Sequence, residues 1–156
     1  MYSSRTDVAY TWVLRASTQI PLEEYLSTCY EPDREYVDGE LVERFVGEFE
    51  HSRLQMMIAA YFFNKEAEFG IMVFPEQRVR VKNTDREKRY RIPDVSVVRV
   101  ACEKETVLTK PPYLVVEVLS PDDRASNTLL KASEYARFGI RGSCKIRSAG
   151  KFEHHR

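Results

Sequence analysis

The chain has 156 residues and a mass of 18.2 kDa, the size of one domain, enough to bury about 70% of its unfolded surface without staples. With 43% hydrophobic and 12% aromatic residues it lacks the hydrophobe-poor signature of disorder. Twenty-four basic residues balance twenty-four acidic ones, which excludes a strongly basic nucleic-acid-binding domain but not a local basic surface on a neutral whole.

Residues 1–18 show no clear periodicity and read as a leader outside the domain. Ile20 to Leu26 predicts a short helix, with Pro21 at its first position and Glu23 and Glu24 in its first turn. The runs Arg34–Val37 and Glu40–Phe45 flank Asp38-Gly39, the strongest short signal for a hairpin. A long helix is expected over 49–69, carried by Leu54, Ile58, Tyr61, Phe62 and Ala67 and closed by Gly70. Ile71–Phe74 and Gln77–Val81 read as strand on either side of Pro75, and Lys82–Arg89 as a polar loop or hairpin tip. Two β-branched-rich strands follow, Asp94–Val100 and Tyr113–Leu119, then a turn at Ser120–Asp123 and a second helix over Asn127–Phe138 closed by Gly139. Strands and helices mix without strict alternation, so the fold class is α/β, or α+β with a mixed sheet.

Glu117 is the physically odd residue. Its strand, Tyr113-Leu114-Val115-Val116-Glu117-Val118-Leu119, is otherwise apolar on both faces, as in strands covered on both sides. An ionised carboxylate there costs several kcal/mol unless it is paired, hydrogen-bonded or bound to metal. The plainer alternative is a glutamate paired with an arginine. Asp94 follows Ile92-Pro93, whose restricted backbone delivers its carboxylate to the strand from a defined direction, although a Pro-Asp pair also serves as a simple strand start. Two carboxylates on neighbouring strands form a hard oxygen site suited to magnesium. Lys131 and Tyr135, four apart on the second helix, share one face. Near a metal such a lysine can orient water or offset phosphate charge; otherwise it is a solvated surface residue.

The ordered set Asp38-Gly39-Glu40, His51 at a helix start, Ile92-Pro93-Asp94-Val95, Val116-Glu117-Val118-Leu119-Ser120-Pro121, Lys131 and Tyr135 resembles the Uma-type (Uma-two) family of restriction endonucleases, within the PD-(D/E)XK nuclease superfamily. The resemblance runs from about Ile20 to Ile140. It implies a restriction-endonuclease-like core, a central mixed sheet flanked by helices, over residues 19–140. It further implies a homodimeric, Mg²⁺- or Mn²⁺-dependent endonuclease acting on DNA; with no secretory or membrane-spanning stretch in the sequence, a cytoplasmic location is the default expectation. Asp94 and Glu117 match the metal-holding carboxylates. Lys131 matches a lysine that has moved from the usual position two after the glutamate, here Leu119, to the following helix. Tyr135, Glu40 and His51 match the other recurrent polar positions, Glu40 as an outer carboxylate and His51 as a group that orients water, contacts phosphate or simply caps its helix.

Two departures accompany the match. Asn127 stands where the family has an aspartate; it can cap the helix but brings no charge. After Ile140 the family's aromatic-rich strand and acidic turn are replaced by a polar segment, so residues 141–156 are expected to form an irregular basic tail that leaves a sheet edge open. This tail carries five basic residues against one acidic, so the neutral total joins an acidic body to a basic end, and His154-His155 reads as tail rather than metal site. DNA contacts then fall to Arg78, Arg80, Lys82 and Arg86–Arg91. Cys29, Cys102 and Cys144 have no disulfide or zinc spacing, pointing to a reducing compartment. The longest apolar run, Met56–Phe63, is too short to span a membrane. The alternative to an enzyme is a catalytically degenerate nuclease fold that binds nucleic acid or protein; a nuclease acting on RNA is a third reading.

Overall fold

A computed structural model describes residues 19–44, 48–81, 84, 88–120 and 125–147. In chain order the elements are α1 (Leu22–Ser27), β1 (Arg34–Val37), β2 (Glu40–Glu43), α2 (Phe49–Phe63), α3 (Glu66–Phe69), β3 (Ile71–Pro75), β4 (Val79–Val81), β5 (Arg89–Arg91), β6 (Val95–Arg99), β7 (Leu114–Leu119), α4 (Ala125–Phe138) and β8 (Gly142–Arg147). The expected mixed α/β class holds, but the strands form two four-stranded sheets rather than one. Their orders are β2-β1-β5-β4, antiparallel throughout, and β3-β6-β7-β8, in which the last pair is parallel.

The Asp38-Gly39 turn closes the β1–β2 hairpin as expected. Both residues take positive φ, 49° and 105°, the backbone that a two-residue turn between right-twisted strands requires. Asp38 also braces β5, its Oδ1 accepting the Lys88 N–H at 2.9 Å and its Oδ2 the Arg89 Nε–H at 3.0 Å. Pro21 precedes α1 instead of opening it.

The single helix expected over 49–69 is interrupted at Asn64-Lys65. The break lets the Glu66 carboxylate reach forward and accept the Val73 N–H of β3 at 2.8 Å, while Gly70, at φ 61°, ends α3 in the left-handed conformation. Tyr61, expected on the inner stripe, is exposed.

β5 is a strand within what reads as loop and arginine-rich surface. Its Arg-Tyr-Arg sequence alternates faces: Tyr90 packs with Tyr25 and Tyr36 on one side of the small sheet, and Arg89 and Arg91 point to the other. A second core joins the sheets, where Val79 and Val81 of β4 meet Val98, Val115, Tyr135 and Ile140.

The segment expected to be an irregular tail contains a strand. Gly142–Arg147 pairs in parallel with the whole of β7, from Leu114↔Gly142 to Leu119↔Arg147, and covers the edge expected to be open. A parallel ladder is made of backbone groups, so an outer strand with solvent beside it tolerates Ser143, Cys144 and Lys145. Asn127 lies inside α4, past its start, and is not its cap. Residues 1–18, Phe45, Lys82, Arg86 and 148–156, His154 and His155 among them, lie outside the described residues.

A chain ended at Arg141 loses this ladder and reopens the β7 edge, each lost hydrogen bond costing about 0.5–1.5 kcal/mol. It is expected to unfold at lower urea concentration than the full chain and to bind a hydrophobic dye, as equilibrium denaturation and dye fluorescence will report.

Candidate active site

Antiparallel pairing of β6 with β7 sets Val95 opposite Val116, so one step further along the same register Asp94 stands opposite Glu117. Directly opposed residues project from the same face of a sheet. The parallel β7–β8 pairing sets Lys145 beside Glu117 on that face as well. These residues line a cavity of about 580 Å³, together with Glu40, His51, Lys131 and Tyr135. All six residues singled out in the sequence therefore border one space.

Their contacts differ. Asp94 is buried and held on both oxygens: Oδ2 accepts the Val118 N–H at 2.6 Å, and Oδ1 accepts from Arg44 at 3.2 Å. His51 Nε2 lies 3.5 Å from Oδ2, and Gln55, one turn further along α2, donates to the Asp94 carbonyl at 3.1 Å. The Nδ1 of His51 is buried without a hydrogen-bond partner among the described residues. Glu117 accepts the Tyr135 hydroxyl proton on Oε1 at 2.5 Å, and Lys131 Nζ lies 3.6 Å from the same oxygen. Glu40 is exposed on the rim and makes no ion pair with this group among the described residues.

Lys131 is not a solvated surface lysine. Its Nζ is 2.8 Å from Glu35 Oε1, and Glu35 is fully enclosed at 1% exposure. Glu35 also accepts from Arg91 at 2.9 Å and from the Ile92 N–H at 3.1 Å. Arg91 in turn clamps Glu134 through Nε at 2.7 Å and NH2 at 3.0 Å, and Arg89 adds a bond to Glu134 at 2.6 Å. Glu35, Arg91 and Glu134 were not singled out by sequence. Glu134 sits on the helical face of Lys131 and Tyr135, three residues from one and next to the other, and that spacing was the available signal. Arg91 hid in a run that reads as DNA-contacting surface. That reading is corrected here: Arg91 and Arg89 are bound to buried carboxylates, and Arg78 is bonded to Asp33 at 2.9 Å beneath Tyr25.

The charges do not balance evenly. Arg89, Arg91 and Lys131 offset Asp38, Glu35 and Glu134, which leaves Glu117 without a full counter-charge of its own. Burial pushes the Glu117 carboxyl up to about 7, helped by Asp94 and Glu35 and only partly opposed by Lys131. Burial also raises Asp94, against the Val118 hydrogen bond, His51 and Arg44. For Glu35, burial acts upward, but Lys131 and Arg91 outweigh it and hold the carboxyl below its usual range. Burial works against the Lys131 ammonium, yet Glu117 and Glu35 keep its pKa raised.

No cluster of three or more His, Cys, Asp or Glu side chains suited to a metal occurs among the described residues. Magnesium asks for less, one or two carboxylates with water and phosphate completing the shell. Two opposed, under-neutralised carboxylates fit that requirement.

A family model described as "Uma2: Putative restriction endonuclease" matches residues 22–142. Among solved structures, "a putative nuclease belonging to DUF820 from Anabaena variabilis ATCC 29413" superposes with a TM-score of 0.70 at 20% identity, covering 82% of this chain and 74% of that one. That likeness shows a shared fold. No curated protein matches in sequence.

Two outcomes follow from the electrostatics. Because the folded-state pKa of Glu117 lies above its ordinary 4.5, the protonated form stabilises the fold below about pH 4.5, and this contribution is lost as pH rises through 7. In metal-free buffer Glu117→Gln should therefore remove a decline in stability between about pH 5 and 8 and be the more stable protein at pH 8, by on the order of 2 kcal/mol in urea titrations. Arg91→Met should cost about 3–5 kcal/mol in the same measurement, since it strands two buried carboxylates.

Proposed function

Because this chain belongs to the Uma2 family, whose model is described as "Putative restriction endonuclease", we propose that it is a Mg²⁺-dependent endonuclease that hydrolyses phosphodiester bonds of DNA at the Asp94–Glu117 cavity. The observation that carries this reading is that a buried carboxylate and a half-buried one, on neighbouring strands, line one cavity with a charged lysine at the second.

Asp94 and Glu117 would hold the metal, which supplies Lewis acidity toward the phosphate and lowers the pKa of a bound water; Mn²⁺ shares this oxygen chemistry. The protein groups do the positioning. The Val118 N–H and His51 fix the Asp94 carboxylate, and the Tyr135 hydroxyl fixes that of Glu117. Lys131 stays protonated because Glu117 and Glu35 face it, so it donates to the attacking water or to a phosphate oxygen as negative charge develops. Glu35 and Arg91 serve as the support that aims it. Of the cations that border the cavity, Lys131 and Lys145 would take the substrate phosphates, giving up part of their bonds to Glu35 and to the Thr128 carbonyl. Such binding weakens as salt rises.

The test is nicking of supercoiled plasmid with and without Mg²⁺. Wild type should cut only with the metal; Asp94→Ala, Glu117→Gln and Lys131→Met should each lose about 100-fold or more. Mg²⁺ should also raise the melting temperature of wild type and leave that of Asp94→Ala unchanged. Equal cutting by all four proteins would place the activity elsewhere. Binding of DNA with no cutting would assign the degenerate, nucleic-acid-binding reading, and cutting confined to RNA would change the substrate.

A further inference from the structure

Arg44 follows β2 and borders the cavity with most of its side chain buried. Its guanidinium bridges two carboxylates: NH2 lies 3.2 Å from Asp94 Oδ1, and NH1 lies 3.4 Å from Glu76 Oε1. The two acids differ in their access to water. Asp94 is enclosed, whereas the Glu76 side chain is 55% exposed. Glu76 is set in place by the backbone. It follows Pro75, which pairs with Val95, and its N–H donates to the Asp94 carbonyl at 3.2 Å. It holds a left-handed conformation, φ 52°, that residues with a Cβ rarely adopt. This turn keeps a second carboxylate within reach of Arg44, beside the first.

A divalent cation at this site needs an oxygen of Asp94. Oδ2 faces the Val118 N–H and His51, so Oδ1 is the oxygen left for it, and Arg44 stands there. A cation on Oδ1 and a guanidinium bonded to the same oxygen repel each other strongly in so poorly solvated a place. Resting on the nuclease reading of the cavity, we propose that Arg44 is an exchangeable counter-ion that sets the affinity of the site for its divalent cation. It neutralises Asp94, is displaced when the cation arrives, and withdraws onto Glu76, which it already touches. Charge drives the exchange forward, since a divalent ion brings Asp94 and Glu117 one positive charge more than the guanidinium it replaces. The other cations of the cavity are placed differently. Arg91, Lys131 and Lys145 make their bonds to Glu35, Glu134, Glu117 and the Thr128 carbonyl, not to Asp94.

The test titrates the full chain with Mn²⁺, without DNA and at constant ionic strength, and counts the free ion by its electron spin resonance signal. Wild type should bind one ion and Asp94→Ala none, which locates the ion at the cavity. Arg44→Met leaves Asp94 without its competitor and should bind about 5-fold tighter or more. Glu76→Gln removes the place of retreat and should bind about 5-fold more weakly. In an Arg44→Met background the Glu76→Gln change should have little effect, because no arginine is there to be received. Thermal unfolding in metal-free buffer checks that each variant is folded. Should Arg44→Met not fold, Arg44→Gln, which keeps a donor for Asp94 without the charge, gives the same reading. Equal or weaker binding by the Arg44 variant would overturn the exchange and leave the metal site standing. So would a loss from Glu76→Gln that is the same with and without Arg44. No binding by any of the proteins, or binding that survives Asp94→Ala, would overturn the metal reading of the cavity and the exchange with it.

Discussion

One buried guanidinium ties the structure together. Arg91 comes from the middle strand of the small sheet, Glu35 from the strand beside it, and Glu134 from the helix that packs on both sheets. With 4% exposure for the arginine and 1% and 0% for the glutamates, none of the three can turn to water if a partner is lost. Charges this deeply enclosed are tolerated only when each is paired and hydrogen-bonded, and here the geometry meets that condition. The consequence is positional. Small sheet and α4 are locked together, and Lys131, on the same face of α4, is delivered to Glu35 and to the edge of the cavity.

The cavity inherits its chemistry from this arrangement. Charges within the network cancel, so they leave little positive potential for the carboxylates next door. Glu117 is half-buried on the large sheet with only a share of Lys131, and Asp94 shares Arg44 with Glu76. The excess of negative charge in a poorly solvated place explains why Glu117 holds its proton near neutral pH.

The two faces of α2 show the same division of labour on a larger scale. Its inner face spends polar side chains on Asp94, while its outer face keeps apolar ones in solvent. Neither face is accounted for by the helix in isolation. The inner one is explained by the site it supports.

Much of this was legible in the sequence because it depends on local chemistry. The Asp38-Gly39 hairpin, the valine-rich strands and the two main helices follow from turn residues and from apolar periodicity, which act between near neighbours. Glu117 stood out because a carboxylate in an apolar strand is costly wherever that strand ends up, and the ordered motif extended the reading to Asp94, Lys131, Tyr135, Glu40 and His51. What the tertiary structure decided is what pairs with what across long separations. Arg91 reads as surface until β5 is placed between β1 and β4, and Glu35 reads as an ordinary hairpin residue until α4 covers it. The segment 142–147 carries no strand pattern, since an outer parallel strand is specified by its neighbour's backbone more than by its own side chains. Side-chain pattern records which residues avoid water; which charge meets which is set only when distant segments are brought together, and no spacing along the chain encodes that.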